Sequence, residues 1–222
     1  LFQVSGLPDA FVEGQDNWTS RVIKEDFSYT FEETLDKVKQ LKPHFEPRKP
    51  GKAFYSDINF DILGQIITKA SGLTLSKAYQ QMIINPLGLT KTYLPENETE
   101  SIPLVYYQEQ LLSRPQFLVS SGASGGVIST TNELMIFTKA FFTGQLFNKQ
   151  HFTQLSNYHP LQLDMTPISY GGGYMRLSLE GLTTLFRGKG ELIGHSGTTG
   201  SFAFYHPQRE LFFVGDLNQM AN

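Results

Sequence analysis

The chain has 222 residues, of which 40% are hydrophobic and 18% charged, with a net charge of −3 and no cysteine. These values indicate a globular chain with room for one large domain or two small ones, and they argue against nucleic acid as a partner. The lack of cysteine excludes a disulfide framework and thiolate metal sites. No apolar run reaches the roughly 18 residues of a membrane-spanning helix.

Two amphipathic helices are predicted in the first third of the chain. The first covers residues 31–41, where a Thr-x-x-Glu capping box precedes an apolar face. The second begins near Ser56-Asp57, carries a stripe of isoleucines and ends at Gly72. The stretch that ends near Phe27 has mixed polarity and no clear period, so the pattern predicts no regular element there.

Two further helices are predicted around a less regular middle segment. One starts at Thr74, and the other runs from a capping box at Thr130 to Gly144. Residues 90–118 are predicted to be loop and short extended pieces, because three prolines oppose long regular structure there. Residues 120–126, which are rich in Gly and Ser, are predicted to form a flexible turn.

Alternating apolar residues predict consecutive antiparallel strands in the last quarter of the chain. One strand covers residues 174–179, and three more begin at Leu192, Phe202 and Leu211. Turn residues such as those at 206–209 separate the last two strands.

The order of these elements predicts the fold class. Helices come first and strands last, without β-α-β alternation, which favours an α+β fold. We expect one domain over residues 1–222, with a mainly helical part at roughly 19–165 and an antiparallel sheet part at roughly 170–218.

Two positions have the chemistry of a catalytic site. Tyr55 precedes a helix start, where free N–H groups and the helix dipole favour loss of a proton, so the phenol is a candidate base. The alternative is a core tyrosine beside a Ser or Asp helix cap. His195 lies in a strand bordered by Gly and Ser, where an extended substrate could lie against the backbone. The alternative is a histidine in an ordinary strand.

A Gly-x-Ser-x-Gly pattern at residues 122–126 matches the nucleophile elbow of α/β-hydrolases, with Ser124 as the nucleophile. Asp164 and then His195 or His206 even follow in a suitable order. An elbow needs a buried strand before it and a helix directly after it, and neither is predicted here. The flexible turn is therefore preferred, and Ser124 remains the lesser alternative.

Metal and cofactor sites are not predicted. None of the five histidines has metal-ligand spacing such as His-Glu-x-x-His. The Arg-Gly-Lys-Gly run at residues 187–190 lacks the spacing of a phosphate-binding loop and is predicted to be a hairpin turn.

Four motifs occur in a characteristic order. They are V-S-G-L-P-D at residues 4–9, Tyr55-Ser56-Asp57, G-G-V-I-S-T at 125–130, and His195-Ser196-Gly197, which follows Y-G-G-G-Y at 170–174. They resemble the S-G-L-P-D turn, the Y-x-N motif, the G-G-L-x-S-T segment and the H-T-G or K-T-G strand of one family. That family is the serine β-lactamase and penicillin-binding-protein-like hydrolases, especially the class C β-lactamase, D,D-peptidase and esterase branch.

The resemblance implies a β-lactamase/transpeptidase-like fold and assigns roles to residues. Tyr55 would be the general base, and His195 would supply electrostatics near the acyl or carboxylate end of the substrate. The backbone N–H of Thr198, on the same strand, would be one oxyanion-hole donor. Ser196 and Gly197 would bind the substrate beside it.

Asp57 would also contact the substrate, but it departs from the Asn of the family motif. A carboxylate at this place should raise the pKa of the Tyr55 phenol unless a lysine offsets it. Both this change and His195 in place of Lys disfavour β-lactam hydrolysis relative to ester or peptide hydrolysis.

The family nucleophile motif, Ser-x-x-Lys, does not occur in the 222 residues, and its Thr versions at 34–37 and 74–77 fall within predicted helices. The resemblance therefore implies a chain truncated at both ends. A missing N-terminal segment would complete the site, in a protein located outside the cytoplasm.

Two hypotheses about function follow. The first is that the longer protein to which this chain would belong is a serine hydrolase. It would take a small-molecule or peptide substrate and act through an acyl-enzyme. Alternatively, the chain is a non-catalytic pseudoenzyme of the same fold that binds a peptide or acyl ligand.

Overall fold

The computed structural model describes residues 1–15 and 17–220. Its α-helices are α1 Trp18–Lys24, α2 Phe31–Gln40, α3 Ile58–Ser71, α4 Leu75–Tyr79, α5 Asn85–Leu87, α6 Pro115–Gly125, α7 Thr131–Thr143 and α8 Phe152–Leu155. A π-helical turn, Gln80–Ile84, joins α4 to α5.

The strands form one large and one small antiparallel sheet. They are β1 Val105–Tyr107, β2 Gln110–Leu112, β3 His159–Pro160, β4 Ser169–Tyr170, β5 Met175–Ser178, β6 Glu191–Ser196, β7 Phe202–His206 and β8 Leu211–Gly215. The large sheet has the order β3-β4-β5-β6-β7-β8, and β1 pairs with β2 as a hairpin. Because helices and antiparallel strands are segregated, the α+β prediction is confirmed.

The helices with strong local end signals form where the sequence predicts them. Thr30 and Glu33 make the reciprocal capping box of α2. The Thr130 side chain accepts a hydrogen bond from the Glu133 N–H at the start of α7, which ends at Gly144. α7 then packs on the sheet, with Phe142 stacked on Tyr205 of β7 at a centroid distance of 5.4 Å.

The predicted flexible turn at residues 120–126 is wrong, because α6 covers most of this segment. Pro115 is the first helical residue, a position where its missing N–H is not needed. The Asp26 carboxylate caps the helix by accepting hydrogen bonds from the N–H groups of Gln116 and Phe117, both at 3.1 Å. The backbone departs from helical geometry at Gly122, where φ is 43° and ψ is −115°. Only glycine adopts this conformation readily.

The structure also contains α1, in the stretch where the pattern predicts no element. Asn17 caps it by accepting a hydrogen bond from the Ser20 N–H at 3.0 Å. Only Trp18 and Val22 of this helix are buried, at 3% and 4% exposure. They pack with Phe27 in a core cluster. A stripe of two residues is too short to produce a recognisable period.

A second core cluster connects the sheet to the segment that precedes α3. Its buried members include Ala53, Tyr170 and Met175, and Tyr55 and Phe60 pack against it. This cluster brings the start of α3 against β4 and β5. None of the helices in the described part of the chain is long and apolar enough to cross a membrane.

Candidate active site

The Tyr55-Ser56-Asp57 segment is held by residues 3–9, which we name the N-terminal turn. Ser56 is fully buried, its N–H donates to Gln3 Oε1 at 3.0 Å, and its Oγ donates to the Pro8 carbonyl at 2.9 Å. The Asp57 N–H donates to Asp9 Oδ2 at 3.1 Å. The two ends of the N-terminal turn thus fix the backbone on either side of Ser56.

Neither Ser56 nor Asp57 caps α3 with its side chain. Asp57 occupies the N-cap position without a side-chain hydrogen bond to the helix, and the Ser56 hydroxyl is used by Pro8. The interpretation of this segment as a helix cap is therefore wrong. The Ser56 hydroxyl and the N–H groups of Ser56 and Asp57 bond the N-terminal turn instead.

The Tyr55 ring is half-buried among aromatic side chains. Its centroid lies 5.6 Å from that of Tyr170, 5.9 Å from that of His195 and 6.1 Å from that of Phe60. Burial raises the pKa of the Tyr55 phenol well above its usual value, and the neighbouring Asp57 carboxylate adds to the effect. The net shift is opposite to the one expected from a helix start, and Asp57 acts in the expected direction.

Carboxylates cluster behind Tyr55. Burial raises the pKa of Asp57 well above its usual value, and Asp9 and Asp61 raise it further. Burial also raises the pKa of Asp61, to about 6, although hydrogen bonding from Ser124 works against it. This side of the site therefore gathers buried acidic groups whose charged forms are disfavoured, and a nearby cation would stabilise those charged forms.

His195 extends from β6 with both ring nitrogens in hydrogen-bond contact. Nδ1 lies 2.8 Å from the Ser196 carbonyl oxygen, and Nε2 lies 3.1 Å from the Tyr170 hydroxyl. Burial lowers the pKa of the imidazole, although the contact with the Ser196 carbonyl opposes this shift. The neutral form of His195 is favoured as a result.

Tyr55 and His195 line one cavity of about 400 Å³, which we name the Tyr55–His195 cleft. Phe60, Phe137 and residues 122–127 complete the lining of this cavity. The structure thus brings together two residues that the sequence places far apart in the chain. It adds the wall at 122–127, which the sequence predicts only as a turn.

The other predicted substrate-binding residues do not line the Tyr55–His195 cleft. Ser196, Gly197 and Thr198 are exposed, and Ser196 lines a separate cavity of about 220 Å³. Asp57 does not line the cleft but lies behind Tyr55.

Thr198 is not on the strand, so its predicted placement is wrong. β6 ends at Ser196, and the chain turns where the Gly197 N–H donates to the Ser201 carbonyl at 2.7 Å. The tight connection to β7 leaves no room for a longer strand. On the other edge of β6, the pairing with β5 ends at Gly194, so His195 has no paired residue on β5.

Ser124 does not have the geometry of a nucleophile elbow. Ser124 lies near the end of α6, and its Oγ donates to the Ser121 carbonyl at 2.7 Å. It does line the Tyr55–His195 cleft. Within residues 1–15 and 17–220, no group of three or more His, Cys, Asp or Glu side chains could hold a metal ion.

Sequence reasoning missed Gln3, Asp9 and Tyr170. Asp9 ends the V-S-G-L-P-D motif at residues 4–9, and Gln3 directly precedes it. Tyr170 opens the Y-G-G-G-Y motif. Their motifs were recognisable, but nothing local indicates that Gln3 bonds Ser56 or that Tyr170 bonds His195. These contacts join distant parts of the chain.

The comparison with known families agrees with this architecture. The family model described as Beta-lactamase matches residues 3–222. The chain belongs to the Beta-lactamase family. A provisionally named D-alanyl-D-alanine carboxypeptidase of Salmonella gallinarum is 22% identical over 221 residues, which cover 85% of this chain and 50% of that protein.

Solved structures show the same fold at low identity. The D-stereospecific amidohydrolase of a Streptomyces species has a TM-score of 0.76 and 22% identity, over 99% of this chain and 66% of that one. The D-amino acid amidase of Ochrobactrum anthropi SV3, complexed with L-phenylalanine, also has a TM-score of 0.76 and 22% identity, over 100% of this chain and 63% of that one. This Beta-lactamase family chain therefore spans about half to two-thirds of these proteins.

Proposed function

We propose that the chain forms the greater part of a serine hydrolase of the Beta-lactamase family. The enzyme would form an acyl-enzyme with an ester, an amide or a peptide and then hydrolyse it. The observation that carries the proposal is the meeting of Tyr55 and His195 across one cleft, with ring centroids 5.9 Å apart. An acid–base group and a second polar group beside an apolar cavity are what acyl transfer requires.

The relatives support an amide or peptide substrate. Their names specify a D-stereospecific amidohydrolase, a D-amino acid amidase and a D-alanyl-D-alanine carboxypeptidase. The apolar lining by Phe60 and Phe137 suits a side chain next to the scissile carbonyl. We therefore propose a small amide or short peptide of a D-amino acid as the substrate.

Tyr55 acts as the general base in this proposal, taking a proton from a nucleophilic serine and returning it to the leaving group. Its raised pKa opposes this role unless a cation lies nearby. The Lys of a Ser-x-x-Lys motif would supply that cation, close to Asp57. Since the 222 residues contain no such motif, we propose that the nucleophile lies outside them and that the chain by itself is inactive.

The backbone N–H of Thr198 is proposed as an oxyanion donor, and Ser196 and Gly197 as substrate contacts. Within the described residues, the Thr198 N–H donates to no backbone carbonyl, so it is free to bind an oxyanion. Its place in a turn instead of on β6 means that the donor is positioned by the Gly197–Ser201 hydrogen bond.

The proposal is tested with the protein extended to include the Ser-x-x-Lys segment. The extended protein should hydrolyse a nitrophenyl ester, and Tyr55→Phe should lower kcat by about 100-fold or more, because general base catalysis is lost. Tyr174→Phe removes another buried tyrosine hydroxyl and should leave kcat unchanged. An unchanged rate in Tyr55→Phe would show that Tyr55 is not the base.

The 222-residue chain provides a second test. Incubation with a fluorescent penicillin followed by intact mass measurement should show no covalent adduct. A stoichiometric adduct would contradict the proposed inactivity, and its loss in Ser124→Ala would identify Ser124 as the nucleophile. Ligand binding by the extended protein without any turnover would favour the pseudoenzyme.

A further inference from the structure

Tyr170 connects the two candidate catalytic residues. It lies on β4, is fully buried, and its hydroxyl is 3.1 Å from His195 Nε2. Its ring is edge-on to both Tyr55, at a centroid distance of 5.6 Å, and His195, at 5.8 Å. A polar group this deeply buried needs its hydrogen-bond partner, and His195 is the partner that the described residues provide.

The hydrogen bonds determine which His195 nitrogen carries the proton. The Ser196 carbonyl oxygen, 2.8 Å from Nδ1, can only accept, so Nδ1 is the donor. A neutral imidazole has one donor and one acceptor nitrogen. Nε2 is therefore the acceptor, and the Tyr170 hydroxyl donates to it.

The surroundings favour this uncharged arrangement. The titratable side chains that face His195 are Tyr170 from β4 and Tyr55 from the segment before α3. Burial raises the pKa of the Tyr170 hydroxyl and lowers that of His195, so both groups stay neutral near neutral pH. Phe60 covers the imidazole edge at a centroid distance of 6.5 Å.

We propose that Tyr170 is a positioning residue that holds His195 as the neutral Nδ1–H tautomer. Both ring nitrogens are then used inside the protein. His195 presents neither a positive charge nor a free N–H to the Tyr55–His195 cleft. The consequence for substrates rests on the proposed function. The site takes esters and amides that have no free carboxylate beside β6.

The tautomer is tested directly by nitrogen NMR on the histidine-labelled protein, which needs no activity. Near neutral pH, His195 should show a protonated Nδ1 and a hydrogen-bonded, unprotonated Nε2. In Tyr170→Phe the Nε2 signal should move to the position of a nitrogen without a hydrogen bond, while Nδ1 stays protonated through its contact with the Ser196 carbonyl. Tyr174→Phe is the matched control, because the Tyr174 hydroxyl lies 3.1 Å from Ser156 Oγ instead.

The consequence for substrates is tested on the extended, active protein with a matched pair of compounds. One is a D-amino acid amide, and the other is the dipeptide that ends in a free carboxylate. The ratio of kcat/KM should favour the amide. Tyr170→Phe should lower that ratio by about tenfold, because an imidazole that Tyr170 no longer anchors can turn an N–H toward the cleft.

The outcomes separate the two proposals. An Nε2 signal that is the same in Tyr170→Phe and in the unchanged protein overturns the role of Tyr170, whatever the activity. An Nε2 signal that changes in Tyr170→Phe, with no turnover by the extended protein, supports Tyr170 and contradicts the hydrolase. A changed Nε2 signal with an unchanged substrate ratio contradicts the substrate preference.

Discussion

The two sides of the Tyr55–His195 cleft bury their polar groups in different ways. On the α3 side, Asp57 and Asp61 lie close to each other behind Tyr55, and burial raises the pKa of both carboxyls. On the sheet side, His195 has a neutral partner at each ring nitrogen. The polar groups of the sheet side therefore satisfy each other without charge, whereas the α3 side holds acidic groups whose charged forms would need a cation.

The backbones of the two sides also differ in what holds them. His195 lies in β6, whose hydrogen bonds to β7 extend through Ser196. Tyr55 lies outside any helix or strand, and the N–H groups of the two residues after it donate to the side chains of Gln3 and Asp9. We therefore expect single substitutions to disturb the α3 side more than the sheet side.

The largest effect is expected for Gln3→Leu. Gln3 Oε1 accepts hydrogen bonds from the Ser56 N–H at 3.0 Å and the Asn59 Nδ2 at 2.6 Å, and Gln3 is only 2% exposed. Leucine has a similar volume but leaves the Ser56 N–H unpaired and removes one of the two acceptors of Asn59 Nδ2, which also donates to the Ser56 carbonyl. This loss should lower the free energy of unfolding by about 3 kcal/mol. Urea unfolding measures this loss. The exposed Gln65→Leu should change stability little, and a similar result for both variants would refute the importance of the N-terminal turn.

Asp61→Asn should have the next largest effect on stability, and the size of that effect should depend on pH. The folded pKa of about 6 exceeds the unfolded value of 3.8, so the folded state binds more protons and loses stability as pH rises through this window. Because Asp61 is partly exposed, we expect this ionisation to lower the free energy of unfolding by about 2 kcal/mol.

The asparagine should remove that loss and stabilise the chain above about pH 6. Thermal unfolding at about pH 4 and about pH 7 measures the difference between these conditions. The exposed Asp164→Asn is the control. An Asp61→Asn variant with the same pH dependence as the unchanged chain would mean that the carboxyl is solvated.

The smallest effect is expected for His195, with the opposite sign. Burial lowers its folded pKa below the unfolded value of 6.5, so stability is present above that value and is lost as pH falls through the folded pKa. Replacing His195 by Asn should flatten this acid-side loss. His151, which is exposed, provides the control substitution. Acid-side curves that overlay for the unchanged chain and the His195 variant would place the imidazole in solvent.

Local sequence signals were sufficient for part of the fold. Capping boxes and stop residues predicted α2 and α7, and alternation predicted β6, β7 and β8. These signals work because the residues that form and end each element lie within a few positions of one another. α6 was missed because its cap, Asp26, lies far away in the sequence.

The sequence by itself determined the order of the motifs, the α+β class and the candidate pair Tyr55 and His195. Only the tertiary structure decided that Gln3 and Asp9 hold the Tyr55 segment, that Tyr170 bonds His195, and that Thr198 lies in a turn. The physical reason is that periodicity and capping report contacts along the chain. The protonation of a buried group depends instead on partners that folding brings together from distant segments.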